Sequence, residues 1–350
     1  MTTGSHDPRS DAVDRECMTR AMAAAGAVRC STSPNPWVGA VVRTPDGRMF
    51  EGATQPPGGD HAEVVALREA GERAAGATLY VTLEPCSHHG RTPPCVDAVL
   101  AAGIARVVVG IEDPDPQVAG TGVRALREAG VDVTVGVQAD QVTNQLAAYL
   151  KHRRTGRPWV VLKLAASLDG GTAAPNGSSQ WITSPLARAD GHRLRAESDA
   201  ILVGAGTVRR DDPSLTVRDY RPPVPPPEGR LDPRRIVLGA VPPGSRVQPC
   251  TEMKGDLGAV LDDLGAEGVV QLLVEGGANV AGAFHRAGLV DRYVIYLAPA
   301  LFGGQDANGL FGGHGAYDIA DLWRGRFLSV DRVGDDLRVE LAPAVTAEDD

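Results

Sequence analysis

The sequence predicts a two-domain α/β protein, and three observations carry that expectation. Strand-length apolar runs alternate with segments of helical periodicity along most of the chain, the pattern of sheets covered by helices. The chain has 350 residues, enough for about two domains of roughly 100–200 residues each. A basic helix end followed by Gly156 and Pro158 interrupts the series near its middle, a local break signal. The expected division is a disordered tail over residues 1–10, a first domain over 11–153 and a second over 158–345. Neither half repeats the other.

In the first half, residues 12–26 read as a helix, because Val13, Met18, Ala21, Met22 and Ala25 recur near 3.6 residues and Gly26 can end it. Pro34-Asn35-Pro36 is a turn that feeds an apolar strand through Val38 and Val42. Asn35 has two readings that the sequence leaves open: an Asx-turn residue, or an amide at the lip of a pocket. Residues 63–75 have helical apolar spacing, which puts His61 and Glu63 at a helix start. A strand over 78–83 exits through Glu84-Pro85-Cys86, and Cys95 opens the next helix. A strand over 106–111, a helix over 122–129, a strand over 131–135 and a helix over 138–154 complete the series. The last helix closes on Lys151-His152-Arg153-Arg154, which suits the negative end of a helix dipole.

The second half has strands expected at 159–164, 200–203, 235–238, 269–274 and 292–297, with helices over 185–196, 257–264 and 280–286. Residues 326–330 and 337–341 add two antiparallel edge strands. Residues 221–233 hold six prolines and form a surface loop, too proline-rich for a central strand.

Composition narrows the function classes. The chain is 43% hydrophobic and 23% charged, ordinary for a globular protein, and aromatics at 4% leave Val, Leu, Ile and Ala to build the cores. A net charge of −9 argues against a nucleic-acid partner, which wants clustered Lys and Arg, and points to small-molecule substrates. No stretch approaches the ~20 apolar residues of a membrane span, and the polar first residues lack the apolar core of a signal peptide. Cys17, Cys30 and Cys250 are expected to be reduced thiols, and the compartment cytoplasmic.

The chemistry concentrates in His61-Ala62-Glu63 and in the run from Pro85-Cys86 to Pro94-Cys95. One imidazole and two thiols make a three-ligand zinc set, His61, Cys86 and Cys95, whose open fourth position is the mark of a catalytic site. Glu63 stands where it can move protons without binding metal. The arrangement is a longer-looped form of the zinc deaminase signature H-x-E…P-C-x-x-C, with eight residues between the cysteines. Two thiolates offset the metal's charge, so Glu63 carries much of the activation of water. His88 and His89, with Arg91 and Thr92, lie in the loop that must close over this pocket, and one of these side chains is expected to meet substrate. In the second half, Lys163 to Gly170 leaves a strand, Gly204-Ala205-Gly206-Thr207 precedes Asp211, and Glu275-Gly276-Gly277-Ala278-Asn279 passes from a buried strand into a helix. Polar groups at strand ends and free N–H groups at helix starts are where α/β sheets bind ligands and anions. The spacing is not G-x-G-x-x-G.

On these residues the chain resembles the bacterial bifunctional deaminase–reductases of riboflavin biosynthesis. The resemblance rests on Asn35-Pro36-x-Val38-Gly39-Ala40-Val41, His61-Ala62-Glu63-Val64, and Tyr80 to Cys86 with His88, Gly90, Thr92, Pro93, Pro94 and Cys95. It implies a cytidine-deaminase-like three-layer domain followed by a dihydrofolate-reductase-like domain over roughly 158–345. The implied activities are zinc-dependent deamination of a diaminopyrimidinone ribosyl phosphate, with Glu63 catalytic, and NADPH-dependent reduction of the ribosyl group to ribityl. Carried over, Ala165, Trp181, Thr207, Asp211, Gly277, Ala278, Asn279 and Val280 line the cofactor, while Ser179, Arg195, Leu215, Arg218 and Glu275 hold substrate. Arg195 and Arg218 also suit a sugar phosphate on charge alone. The role of Lys163 stays open. Two residues depart from the family pattern near these motifs, Asp60 where proline is usual and Gly171 where a basic residue is usual. A homo-oligomer is expected. The alternatives are a monofunctional protein with one decayed half, which the presence of every motif residue in both halves opposes, a nucleic-acid base deaminase with an appended binding domain, which the net charge and the long inter-cysteine loop oppose, and a zinc-stapled scaffold, which would need a fourth protein ligand.

Overall fold

The computed structural model describes residues 8–88, 93–115, 118–227 and 231–344. Two compact units part between Gly156 and Arg157. The tail expected at residues 1–10 lies outside the described residues as far as Asp7, and a helix begins at Pro8.

The first unit runs α1 (Pro8–Ala27), β1 (Gly39–Arg43), β2 (Met49–Ala53), α2 (Ala62–Ala70), β3 (Thr78–Leu83), α3 (Cys95–Ala101), β4 (Arg106–Ile111), α4 (Thr121–Glu128), β5 (Asp132–Val135) and α5 (Ala139–Thr155). Its sheet has the order β2-β1-β3-β4-β5. β1 is antiparallel to β2 and β3, whereas β3, β4 and β5 are parallel. Strand β2 escaped the sequence reading because Met49 to Ala53 is only five residues long and is interrupted by Glu51 and Gly52; the Thr44-Pro45-Asp46-Gly47 turn before it was the available hairpin signal.

Two glycines bring the helices onto this sheet. A Cβ at Gly39 would lie 1.9 Å from the Ala21 carbonyl oxygen of α1, and one at Gly52 would lie 2.3 Å from the Ala62 carbonyl oxygen of α2. Only glycine permits so close an approach, and the second contact seats the very turn that carries Glu63. At the other end of the strands, Asp14 of α1 accepts hydrogen bonds from Tyr80 Oη at 2.9 Å and, bidentately, from Arg106 at 2.9 and 2.8 Å. The carboxylate is buried and its guanidinium partner a quarter exposed, so α1 is tied to β3 and β4 by a charge-assisted clamp.

The second unit runs β6 (Trp159–Ser167), β7 (Gly171–Ala173), α6 (Pro185–Ala196), β8 (Ala200–Gly204), α7 (Ala205–Asp211), β9 (Arg234–Leu238), β10 (Thr251–Met253), α8 (Leu257–Ala266), β11 (Gln271–Val274), α9 (Ala278–Arg286), β12 (Arg292–Ala298), β13 (Asn308–Gly309), β14 (Gly325–Val333) and β15 (Asp336–Pro343). Eight strands form one sheet in the order β10-β9-β8-β11-β6-β12-β15-β14, and β7 pairs with β13 separately. The core strands are parallel, and β15 and β14 add an antiparallel edge as expected. Alternate residues of β6 and β8 enter two different apolar clusters. Val160, Leu162, Ala200 and Leu202 join Phe284 and Leu261, while Val161, Ile201 and Val203 join Leu194 and Val208. The sheet is therefore covered on both faces, which is why its strands read as continuous apolar runs. The sequence reading missed β7, β10, β13 and α7; in the last, Gly204-Ala205-Gly206 disguised a helix start as a turn.

Replacing Asp14 with alanine leaves the Arg106 guanidinium only the exposed Asp132 carboxylate at 3.6 Å and takes away the Tyr80 acceptor. A loss of about 3 kcal/mol is expected, the low end of the range for breaking one side of a buried pair because Arg106 keeps some solvent. Urea unfolding checks this against Asp262→Ala, which breaks the exposed Arg157–Asp262 pair and should hardly move the midpoint.

Candidate functional site

In the first unit, three elements converge. His61 is the N-cap of α2, in extended backbone, and Glu63 follows in its first turn. Cys86 stands three residues past β3, and Cys95 opens α3. His61 Nδ1 lies 3.1 Å from Cys95 Sγ and 3.6 Å from Cys86 Sγ, and one ligand atom from each of the three falls within 4.8 Å of the others. A tetrahedral zinc with bonds of about 2.0–2.3 Å needs N–S separations of about 3.5 Å, so the donor set and its spacing fit that ion. The N–H of Cys95 points at Cys86 Sγ over 3.3 Å. The Cys86 thiol is held down at about 4, first by its bond with Cys95 and, against burial, by His61. Cys95 is pushed up by the same bond and by burial. Glu63 is 3% exposed; burial pushes its carboxyl up to about 7, with His61 opposing.

A cavity of about 330 Å³ opens onto this centre, within the size range of small-molecule sites. Asn35 and His88 line it, together with Asp113, Tyr149 and Arg153. His89, Arg91 and Thr92 lie outside the described residues. The unusual Asp60 pairs with Arg68 of α2 at 2.5 Å, so the residue that replaces proline braces the helix carrying Glu63.

Sequence reasoning missed Glu84, Asp113 and Tyr149. The Glu84 carboxylate is buried and accepts four backbone N–H bonds, from Asp113 (3.2 Å), Gly120 (2.9 Å), Gly122 (2.8 Å) and Val123 (3.0 Å). It locks the segment after β4 and the start of α4 against the turn that carries Cys86. Asp113 in turn accepts from Tyr149 Oη at 3.1 Å and from the Asp115 N–H at 2.9 Å. The Asp-Pro-Asp-Pro run directly after β4 was the signal available, since strand ends are where such sheets bind ligands.

In the second unit, a cleft of about 760 Å³ brings together Thr207, Asp211 and Gly277 to Val280, with Ser179 at its wall. Thr207 Oγ1 accepts from the Gly277 N–H at 3.1 Å, joining the start of α7 to the start of α9. Ala165 and Trp181 are not part of this wall. Ala165 packs at the edge of the core, and Trp181 is exposed with Arg188 4.5 Å over its ring. Arg195 is not left open: it grips Glu275 bidentately at 2.8 and 2.8 Å and gives its third nitrogen to the Thr216 carbonyl at 3.0 Å. Although burial works to raise the Glu275 carboxyl, Arg195 and then Lys163 hold it at about 2. Leu215 is buried and Arg218 exposed on the turn that follows α7. At Gly171 a Cβ would lie 2.2 Å from the Phe302 ring, which leaves no room there for the family's basic side chain.

Known proteins match both units. Residues 11–111 match the cytidine and deoxycytidylate deaminase zinc-binding region, and residues 158–339 match the RibD C-terminal domain. The riboflavin biosynthesis protein RibD of Escherichia coli K12 is 44% identical, over 95% of this chain and 100% of that protein. RibD of Mycobacterium tuberculosis is 45% identical, over 90% of this chain and 93% of its own. Among solved structures, Acinetobacter baumannii RibD superposes with a TM-score of 0.87 at 37% identity, covering 96% of this chain and 100% of that one. A diaminohydroxyphosphoribosylaminopyrimidine deaminase/5-amino-6-(5-phosphoribosylamino)uracil reductase from Thermotoga maritima superposes with a TM-score of 0.83 at 32% identity, with the same coverage.

If His61, Cys86 and Cys95 are the ligands, Cys86→Ala or Cys95→Ala abolishes zinc binding, while Cys17→Ala, Cys30→Ser and Cys250→Ser keep about one zinc per chain. Elemental analysis of purified protein reads the outcome; metal loss from Cys30→Ser would overturn the ligand set.

Proposed function

Because the chain belongs to the RibD family of bifunctional riboflavin-biosynthesis enzymes, we propose that its two cavities are two separate active sites. The first deaminates 2,5-diamino-6-ribosylamino-4(3H)-pyrimidinone 5′-phosphate. The second reduces the ribosyl group of the resulting 5-amino-6-(5-phosphoribosylamino)uracil to ribityl with NADPH. The single observation that carries the first half is the convergence of His61, Cys86 and Cys95 beside buried Glu63.

In the first site, His61, Cys86 and Cys95 would hold zinc, which when bound supplies Lewis acidity that brings a water's pKa to about 7. Glu63 takes one proton from the attacking water and passes it to the ring nitrogen; it then takes the second from the new C–OH and passes it to the amine, which leaves as ammonia while C=O forms. A carboxyl lifted toward neutrality by burial suits both directions of transfer. Asp113, held by Tyr149, offers an acceptor at the cavity wall for the exocyclic amines of the pyrimidine.

In the second site, Thr207, Asp211 and Gly277 to Val280 would hold NADPH, which when bound supplies the hydride, with Ala165 and Trp181 contributing at the margin. Support comes from the size of the cleft and from the free N–H groups at the start of α9, which favour phosphate. Ser179, Leu215, Arg218 and Glu275 face the substrate. The ionised Glu275 accepts from sugar hydroxyls, Arg195 orients it, and exposed Arg218 is the cation left for the phosphate. The five cysteines form no disulfide among the described residues, which supports a cytoplasmic location, and no described helix is long and apolar enough to cross a membrane. Exposed Phe327 and Val330 on edge strand β14 support assembly into a homo-oligomer.

Glu63→Gln should keep about one zinc per chain while ammonia release falls at least 10²–10⁴-fold, the usual loss of a general acid–base. The same variant should still oxidise NADPH when the deaminated uracil phosphate is supplied. Arg218→Ala should raise the KM of that reduction about tenfold, as for a charge at an exposed rim, and leave ammonia release alone. Paired assays of ammonia and NADPH absorbance decide; a variant that silences both reactions would mean one shared site.

A further inference from the structure

We infer that His192 is a positioning residue for the reduction: its neutral ring, protonated on Nε2, holds the turn from Leu215 to Arg218 and so sets where the Arg218 guanidinium stands. The inference rests on Arg218 being a substrate contact, as proposed above.

His192 is 8% exposed, on α6, one helical turn before Arg195. Its Nδ1 lies 3.1 Å from the Thr216 carbonyl oxygen and 3.1 Å from the Arg218 backbone nitrogen. One imidazole nitrogen cannot serve both, because the carbonyl needs a donor and the N–H needs a lone pair. Accounting for the two main-chain groups decides which bond is made. The Thr216 oxygen already accepts from Arg195 at 3.0 Å, whereas the Arg218 N–H has no other acceptor among the described residues. A lone pair on Nδ1 satisfies every group, so the proton sits on Nε2.

The turn needs such a fastening. Leu215 has φ +52° and Asp219 φ +54°, both in the left-handed region that non-glycine residues leave unless held. Leu215 is fixed by burial in the core, but Arg218 and Asp219 are exposed. Asp232 accepts from the Val217 N–H at 2.8 Å, and His192 is the bond that fixes Arg218 itself. A single helix face, His192 with Arg195, therefore holds the turn and the Glu275 carboxylate at once.

The charged groups facing the imidazole are Arg195 of α6, Arg218 of the turn and Glu275 at the end of β11. Burial and then the two arginines hold the ring below its ordinary value, with Glu275 opposing. The ring is therefore neutral at neutral pH, and acid protonates it only below the usual 6.5 or so. A proton on Nδ1 would then meet the Arg218 N–H donor to donor and turn to the Thr216 carbonyl instead, so the Arg218 end of the turn loses its bond. Substrate affinity should fall on the acid side.

The test uses the full-length enzyme, with reduction of the deaminated uracil phosphate followed from pH 5 to 8 and ammonia release as the folding control. In the wild type KM should rise as pH falls below about 6.5. In His192→Gln the amide oxygen accepts from the same N–H and cannot be protonated: KM at pH 7.5 should stay within about threefold of the wild type, and the acid rise should vanish. His192→Leu should raise KM about tenfold at every pH while kcat changes less than threefold. Retention of the acid rise in His192→Gln, or an unchanged KM in His192→Leu while Arg218→Ala raises it, overturns the inference. The ring ¹⁵N shifts of histidine-labelled wild-type enzyme, with His192→Gln identifying the resonance, give a readout free of catalysis: a lone-pair Nδ1 at pH 7.5 supports the inference and a protonated Nδ1 overturns it. Should Arg218→Ala leave KM unchanged, the substrate reading falls and takes this inference with it, whatever the tautomer.

Discussion

A carboxylate can sit in a protein interior only if every oxygen is given a donor, and both sites are arranged around that demand. Glu84 is the residue directly after β3, and Glu275 the residue directly after β11. Each lies where a buried strand stops: its own N–H still donates to the neighbouring strand, to Ile111 or to Leu202 at 3.0 Å, and the chain turns away after it. Glu84 is answered by four backbone N–H groups, so what it fixes is main chain: the segment after β4, the start of α4 and, through Pro85, the place of Cys86. Glu275 is answered by a guanidinium and so keeps its negative charge. One glutamate orders main chain and the other keeps an ionised carboxylate, and the difference is the kind of donor each meets.

The candidate metal centre was legible in the sequence because its parts are local. His61 with Glu63, and Cys86 with Cys95 among prolines, carry their spacing and their helix starts in short motifs. The alternating series was legible for the same reason, since periodicity is a property of ten residues or so. What stayed hidden were partnerships made across the chain. Glu84 meets N–H groups 29 to 39 positions away, and a backbone N–H has no residue type to betray it. His192 presents two main-chain contacts that a helix pattern cannot announce.

Arg195 shows how a sound residue-level reading can be incomplete. Its charge suggested a phosphate ligand. Its donors, however, are largely committed to Glu275 and Thr216, so its contribution is to hold a carboxylate in its ionised form. Gly171 is a plainer case. The departure from a basic residue is a matter of space, because the Phe302 ring occupies the position a side chain would take.

The close seating of α2 on Gly52 bears on how variant libraries of this enzyme should be read. Position 52 touches neither the zinc ligands nor the cavity wall, yet any side chain there must push the first turn of α2 outward, and Glu63 with it. In a growth selection for vitamin auxotrophy rescue, Gly52 would score like an active-site position. Ranking positions by intolerance alone would then enlarge the apparent catalytic set with residues whose only office is to be small.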